Sequence, residues 1–305
     1  MTRPAAFLKY AGSKRASVEP IIAALLGSRD PRAYDGLYVE PFFGSGAVFF
    51  ALRARGYQGH AYLNDVNARL MQLYLTLRDD LEELLAVHDA MPWGPGWEGE
   101  YARIRQEFNE KNERSGHVAL VVDTQQAARF LWLNKSCFNG LYRENKAGEF
   151  NVPVGRYAKL TKQDPDDLRA ASKALQNTTI TSYDFRVLLD RADGPHRRIL
   201  RGGVVVYADP PYVALTETSD FASYASGGFS TDDQRALALA AIEAARQGAR
   251  VVLSNHDTPF VRDELYPTSK GFEHIASLQV KRAINSKADK RGAVAEILVA
   301  IGALP

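Results

Sequence analysis

The chain has 305 residues, 46% hydrophobic and 24% charged, enough for one large domain and a smaller one, which excludes a disordered or fibrous protein. A single cysteine, Cys137, excludes a disulfide framework and a multi-cysteine metal centre and predicts a reducing, cytoplasmic setting; the absence of a long apolar run predicts neither secretion nor a membrane span. Net charge is only +2 but uneven: residues 78–113 are acidic, whereas residues 134–162 are basic and residues 1–15 carry Arg3, Lys9, Lys14 and Arg15 with no acid, so these basic stretches are the candidate polyanion surface.

Residues 7–14, Phe-Leu-Lys-Tyr-Ala-Gly-Ser-Lys, lead into a helix predicted to begin near Ser17, with Glu19 in its first turn and Ile21 to Leu26 on its apolar face. A strand over Leu37 to Phe42 runs into Phe43-Gly44-Ser45-Gly46 and then an apolar helix over Ala47 to Arg55. Glycines at such a turn let a ligand approach the backbone near the positive end of the helix, although plain tight turns use them too. The next strand, Gly59 to Leu63, ends at Asn64-Asp65. It places an acid about twenty residues past the glycines, where a ribose diol would lie, and so favours a nucleoside-bearing cofactor.

From Asn67 to about Asp167 the pattern is helical: Asn67 to Met91, a break at Trp93-Gly94-Pro95-Gly96-Trp97, then Glu100 to Glu113 and Thr124 to Leu133. With no strand signal, the stretch reads as an inserted subdomain. Asn134 to Tyr157 reads as a loop whose amides, aromatics and arginine suit base-edge contacts and intercalation, the alternative being a structural loop with buried aromatics. A helix over Asp166 to Gln176 and a strand over Thr178 to Ser182, ending at Asp184-Phe185, follow.

Val204-Val205-Val206-Tyr207-Ala208 reads as a strand buried on both faces, and it stops at Asp209-Pro210-Pro211-Tyr212, where two prolines forbid further ladder pairing or a helix. A carboxylate, a carbonyl and a ring are thus held at the C-terminal end of a strand, where ligands bind in open α/β sheets. The alternative is an ordinary Pro-Pro turn. The groups suit methyl transfer to a planar, conjugated amino group, whose delocalised lone pair must be made pyramidal. Asp209 and the Pro210 carbonyl would accept its two N–H bonds, and Tyr212 would stack on a base drawn from the duplex. Beyond it, Thr216 to Gly228 reads as a mobile lid and Ser230-Thr231-Asp232-Asp233 as a capping box opening a helix through Arg246. Arg250 to Ser254 reads as a strand ending at Asn255. Phe272 to Val280 and Val294 to Ala300 read as a hairpin whose connection carries Lys281, Arg282, Lys287, Lys290 and Arg291 beside Asp289.

The segments FLKYAGSK at 7–14, EPFFGSG at 40–46, LND at 63–65, NKSCFNGLYREN at 134–145, GEFNVPVGRY at 148–157, YDF at 183–185, DPPY at 209–212 and SNHD at 254–257 occur in the order of one known group. By them the chain resembles the Dam family of D12-class, S-adenosylmethionine-dependent DNA adenine methyltransferases. The resemblance implies an α/β fold, with a Rossmann-like seven-stranded sheet in residues 1–66 and 168–305 and a mostly helical target-recognition subdomain in residues 67–167. It implies direct in-line transfer to the 6-amino group of a flipped adenine in double-stranded DNA, in GATC, without a covalent intermediate or a metal, by a cytoplasmic, nucleoid-associated monomer. It places Tyr10, Lys14, Glu40, Phe42, Gly44, Gly46, Asp65, Asp184, Phe185 and Asp209 around S-adenosylmethionine and makes Asp209, Pro210, Pro211 and Tyr212 catalytic. For DNA it implies Lys9 on a base, Arg143 on a guanine edge, Leu141 and Pro153 on a thymine methyl, Asn139 as a wedge, and Lys135 with the 281–291 connection on phosphates. A cytosine amino methyltransferase and a catalytically silent DNA-binding protein on the same fold are the alternatives. Cys137, without a Pro-Cys pair, does not read as a nucleophile, and residues 90–100 match nothing in the family.

Overall fold

In the computed structural model, residues 3–110, 119–189, 203–213, 229–281 and 293–305 are described. Short runs of β-branched and aromatic residues form β1 (Leu37–Glu40), β2 (Ala61–Asn64), β3 (Thr178–Thr181), β4 (Val204–Ala208) and β5 (Arg250–His256). Two longer strands, β6 (Glu273–Lys281) and β7 (Ala293–Ile301), close the chain. They make a seven-stranded sheet in the order β3-β2-β1-β4-β5-β7-β6. β1 runs parallel to β2 and β4, and β4 to β5, whereas β7 is antiparallel to both β5 and β6. β2, β4 and β5 are buried at every position, the signature of strands covered on both faces, and this is the α/β sheet expected from the sequence.

The described helices are α1 (Val18–Leu26), α2 (Ala47–Ala54), α3 (Ala68–Asp79), α4 (Leu81–Asp89), α5 (Trp97–Glu110), α6 (Thr124–Ser136), α7 (Pro165–Leu175), α8 (Phe185–Leu189) and α9 (Thr231–Arg246). Ser230 caps α9 in a full capping box with Asp233, as its sequence predicts. Several boundaries differ from expectation for local reasons. β1 stops at Glu40 rather than Phe42, where Pro41 removes a donor. The helix expected over Asn67 to Met91 is two helices that part at Asp80, whose φ and ψ of −143° and 54° are not helical. α5 begins at Trp97, inside the expected break. α6 continues through Ser136, its Cys137 amide donating to Leu133 O at 2.9 Å, so Asn134 and Lys135 are helical rather than loop. β5 extends to His256 through pairing of Asn255 and His256 with β7. The expected lid over Thr216 to Gly228 and the basic positions Arg282 to Arg291 lie outside the described residues.

The chain forms two compact units. One comprises Met1–Arg15, Gly44–Arg55 and Asn64–Tyr183; the other comprises Ala16–Phe43, Gly56–Leu63 and Asp184–Pro305. The core of the second gathers Val39, Val206, Ala208, Leu237, Val251, Leu253, Ile297 and Val299 around the central strands. In the first, residues 90–100 have a structural task. Trp132 Nε1 donates to Pro92 O at 3.0 Å, Trp93 Nε1 donates to His88 O at 2.7 Å, and Trp97 meets Trp132 edge-on at 6.3 Å. No helix among the described residues is long and apolar enough to cross a membrane.

Buried His88 donates from Nε2 to Gln163 Oε1 at 2.9 Å, and Gln163 Nε2 donates to Leu131 O at 3.0 Å. Burial pushes the His88 pKa below its ordinary value of 6.5. The folded state therefore holds neutral His88, and the stability tied to it is present above that ordinary value and lost as pH falls below it. Urea denaturation between pH 7 and pH 5 is expected to show this loss, and His88→Gln to flatten it; identical slopes in the two proteins would place the titration elsewhere.

Candidate active site

In the first unit the glycine turn is fixed at both backbone groups of one residue. Gly44 has φ +48°, and a Cβ there would stand 3.4 Å from the Tyr10 ring. Its N–H donates to Asp65 Oδ2 at 2.8 Å, and its carbonyl accepts from the Tyr74 hydroxyl at 3.0 Å. Asp65 Oδ1 accepts from the Asn67 amide at 3.0 Å. Burial raises the Asp65 pKa, while the Asn67 and Gly44 amides pull it back, so each oxygen is held by an N–H with lone pairs left to accept hydroxyls. Burial also raises the Tyr10 pKa, with the Asp65 charge adding to it, so Tyr10 stays a neutral aromatic face. Ser45 and Ser13 hydroxyls meet at 3.1 Å, and Lys14 is buried nearby in sequence. Gly46, at φ +66°, is the N-cap of α2 and supplies no side-chain cap.

The second unit carries the other candidates. Phe42 packs against Phe185 at 5.5 Å and Phe229 at 5.6 Å, and the latter two rings meet at 5.5 Å, an aromatic trio of the kind that cradles a planar base. Glu40 is buried and accepts from the Tyr38 hydroxyl at 2.7 Å. Asp184 accepts from the Arg186 amide at 2.8 Å and pairs with its guanidinium at 3.4 Å.

β4 ends at Ala208, and Asp209, Pro210, Pro211 and Tyr212 follow at its C-terminal edge. The Tyr212 hydroxyl donates to Glu296 Oε2 at 3.0 Å, and its ring meets the His256 ring edge-on at 4.9 Å. His256 and Glu296 are direct cross-strand partners of β5 and β7. Burial, with the charges of Asp209 and Glu296, holds the Tyr212 phenol well above its ordinary pKa. Pro211 O accepts from Gln234 Nε2 at 2.7 Å, and the Val213 amide donates to Asn255 Oδ1 at 3.1 Å.

The expected DNA contacts lie in the first unit. Asn134 clasps Lys9: its Oδ1 accepts from the Lys9 amide at 3.1 Å and its Nδ2 donates to Lys9 O at 2.7 Å. The Lys9 ammonium sits over the Tyr157 ring at 5.1 Å. Burial first and then the Lys9 charge lower the Lys135 pKa, so two cations share one neighbourhood. Asn139 is exposed at φ +56°, beside Gly140 at φ +65°, where a Cβ would stand 2.6 Å from Lys9 Cβ. Phe138 N donates to Pro153 O at 2.9 Å, which joins the two ends of the loop. Exposed Arg143 donates from Nε to Asn151 Oδ1 at 2.7 Å, and Leu141 is half-buried. Cys137 is buried, and burial pushes its thiol up to about 12, unsuited to a nucleophile.

The sequence reading missed Tyr74, Phe229, Gln234 and Glu296, which lie in helices, a loop and a strand with no motif of their own. Asn255 and His256 were legible only as part of SNHD.

A family model described as D12 class N6 adenine-specific DNA methyltransferase matches residues 10–284. The type II methyltransferase M.MjaIII of Methanocaldococcus jannaschii is 35% identical over 294 residues, covering 93% of this chain and 94% of the relative. The DNA N-6-adenine-methyltransferase of Escherichia phage P1 is 33% identical over 95% of this chain and 34% of its own length. The DNA adenine methylase of Escherichia coli strain K12 is 32% identical over 98% of this chain and 95% of its own.

Asn134→Ala is expected to lower the stability of the first unit by about 1–3 kcal/mol, because the Lys9 amide and carbonyl both lose their partner. Chemical denaturation checks it, and a change near zero would show that the clasp contributes no net stability.

Proposed function

The chain belongs to the D12 class of N6 adenine-specific DNA methyltransferases, and we propose that it methylates the adenine of GATC with Asp209, Pro210, Pro211 and Tyr212 as its catalytic groups. The observation that carries the catalytic part is the placement of this tetrapeptide at the end of β4, with Tyr212 held by Glu296 and His256. The Asp209 carboxylate and the Pro210 carbonyl accept the two N–H bonds of the target amine, favouring its pyramidal form. Tyr212, fixed at its hydroxyl and along its ring edge, stacks on the flipped base.

Enzymes of this class are S-adenosylmethionine-dependent, and the bound cofactor supplies an electrophilic methyl group. The residues present fit it. Asp65 has acceptor capacity left for ribose hydroxyls, Gly44 at φ +48° leaves open beside the Tyr10 ring the space that a side chain would occupy, and Phe42 with Phe185 offers apolar faces for an adenine ring. Lys14, Glu40, Gly46 and Asp184 complete the set that would hold it, Glu40 through the Tyr38 hydroxyl that fixes its carboxylate.

Residues 1–66 and 168–305 carry cofactor binding and catalysis in this reading, and residues 67–167 carry target recognition. The GATC assignment rests on the run from Phe138 to Pro153, whose ends are tied together, and on Lys9, tied to the same unit through Asn134. Arg143 forks onto a guanine edge, with Asn151 aligning its guanidinium. Leu141 and Pro153 contact a thymine methyl, Asn139 wedges beside the vacated adenine, and Lys135 holds phosphate.

Asp209→Ala is expected to abolish methyl incorporation while leaving cofactor affinity by calorimetry largely intact; turnover within about tenfold of wild type would remove Asp209 from the mechanism. Tyr212→Ala should weaken capture of the flipped base by about 1–3 kcal/mol, read from 2-aminopurine fluorescence at the target position, whereas Tyr212→Phe retains most of it. Single-molecule sequencing of DNA from expressing cells is expected to place N6-methyladenine in GATC, and a motif lacking GATC overturns that specificity. Arg143→Ala should cost about 1–3 kcal/mol of discrimination at one guanine. Equal loss at every sequence would make Arg143 a phosphate contact.

A further inference from the structure

We propose that Gln234 and Asn255 are positioning residues that set the Asp209–Tyr212 tetrapeptide in its reacting geometry before a base arrives, acting through the backbone on either side of Tyr212. The inference rests on the catalytic role proposed above for that tetrapeptide.

Both side chains are almost fully buried, at 1% exposure for Gln234 and 0% for Asn255, and neither meets the solvent that would otherwise satisfy an amide. Their orientations follow from the backbone. Asn255 Oδ1 accepts two N–H groups, that of Val213 at 3.1 Å and that of His256 at 2.8 Å, so this end of the amide must be the oxygen. Asn255 Nδ2 therefore faces Gln234, donating to Oε1 at 3.0 Å. That leaves Gln234 Nε2 to donate to Pro211 O at 2.7 Å. The relay is directional, and reversing either amide sets oxygen against oxygen.

It closes on the residues flanking Tyr212. Pro211 O is held from α9, and Val213 N from Asn255; Val213 O accepts from His256 Nδ1 at 2.6 Å. Asn255 and His256 are successive residues of β5, whose side chains leave opposite faces of the sheet, so one strand end grips the loop from two sides. Pro210 and Pro211 have no N–H with which to hold themselves, and the relay supplies through acceptors what the prolines cannot supply through donors. Two leucines would fill the same volume without the cost of burying two amides.

Near-isosteric variants separate positioning from packing. Asn255→Asp keeps both accepted N–H bonds and loses only the donor to Gln234, whose amide then turns over and sets its oxygen against Pro211 O. Gln234→Glu sets an oxygen there directly. Gln234→Leu removes the bond without burying a charge, and reads the same loss if the acidic variants fail to fold. Single-turnover methyl incorporation is measured on unmethylated genomic DNA, so that the outcome does not depend on GATC being the target. The rate is expected to fall about tenfold or more in the variants, while the cofactor dissociation constant stays within about twofold and the thermal midpoint holds. Rates within about twofold of wild type in all folded variants overturn the proposal, as does a rate loss matched by equal loss of cofactor affinity and a collapsed thermal midpoint. Asp209→Ala measured alongside distinguishes the failures. If that variant is active, the catalytic reading itself falls; if it is silent while the three variants match wild type, only the positioning role falls.

Discussion

A strand that is forbidden to continue sets the arrangement at the C-terminal edge of the sheet. β4 is a five-residue run of Val, Val, Val, Tyr and Ala, buried at every position, and nothing in those side chains would stop it. Pro210 and Pro211 stop it, because neither can donate to the neighbouring ladder, and the backbone must leave the sheet at Asp209. Backbone groups beyond Ala208 thereby leave the sheet edge without the ladder partners that a longer strand would have given them. Buried polar groups need partners, and the second unit supplies them from side chains: Gln234 to Pro211 O, Asn255 to the Val213 amide, Glu296 to the Tyr212 hydroxyl.

The same logic operates at the end of β1 within a different set of residues. Pro41 ends the strand, and the turn that follows places Gly44 in the left-handed region, where its amide and carbonyl have no ladder or helix to enter. Asp65 takes the amide and Tyr74 the carbonyl. Asp65 is thus the strut of the turn beside it. Burial raises the Asp65 pKa, and the two N–H groups it accepts draw it back down.

In the first unit the residues expected to contact DNA adjoin an aromatic cluster. Trp97, Tyr101 and Trp132 pack together, Tyr157 reaches Trp97 at 6.4 Å, and the Lys9 ammonium lies over Tyr157. The Trp-Gly-Pro-Gly-Trp segment supplies Trp93 and Trp97 to this cluster. Its role is packing beneath the basic loop.

The sequence by itself determined where the candidate groups and the breaks in the elements fall along the chain. Proline and glycine act through their own covalent geometry and a capping box through adjacent side chains, so the stop at Pro210, the turn at Gly44 and the box at Ser230 were legible in the chain, whereas the stop at Pro41 was overlooked inside a strand expected to continue to Phe42. The buried strand β4 was legible as an unbroken apolar run. Tertiary structure alone decided which distant side chains partner the exposed backbone. Tyr74, Gln234 and Glu296 are ordinary helix and strand residues whose task exists only because folding brings a carbonyl or a hydroxyl within 3.0 Å of each. It also decided that Asn134 and Lys135 belong to α6 and that β5 runs on to His256, since one more helical turn or one more ladder pair depends on the neighbour that accepts the bond rather than on the residue that offers it.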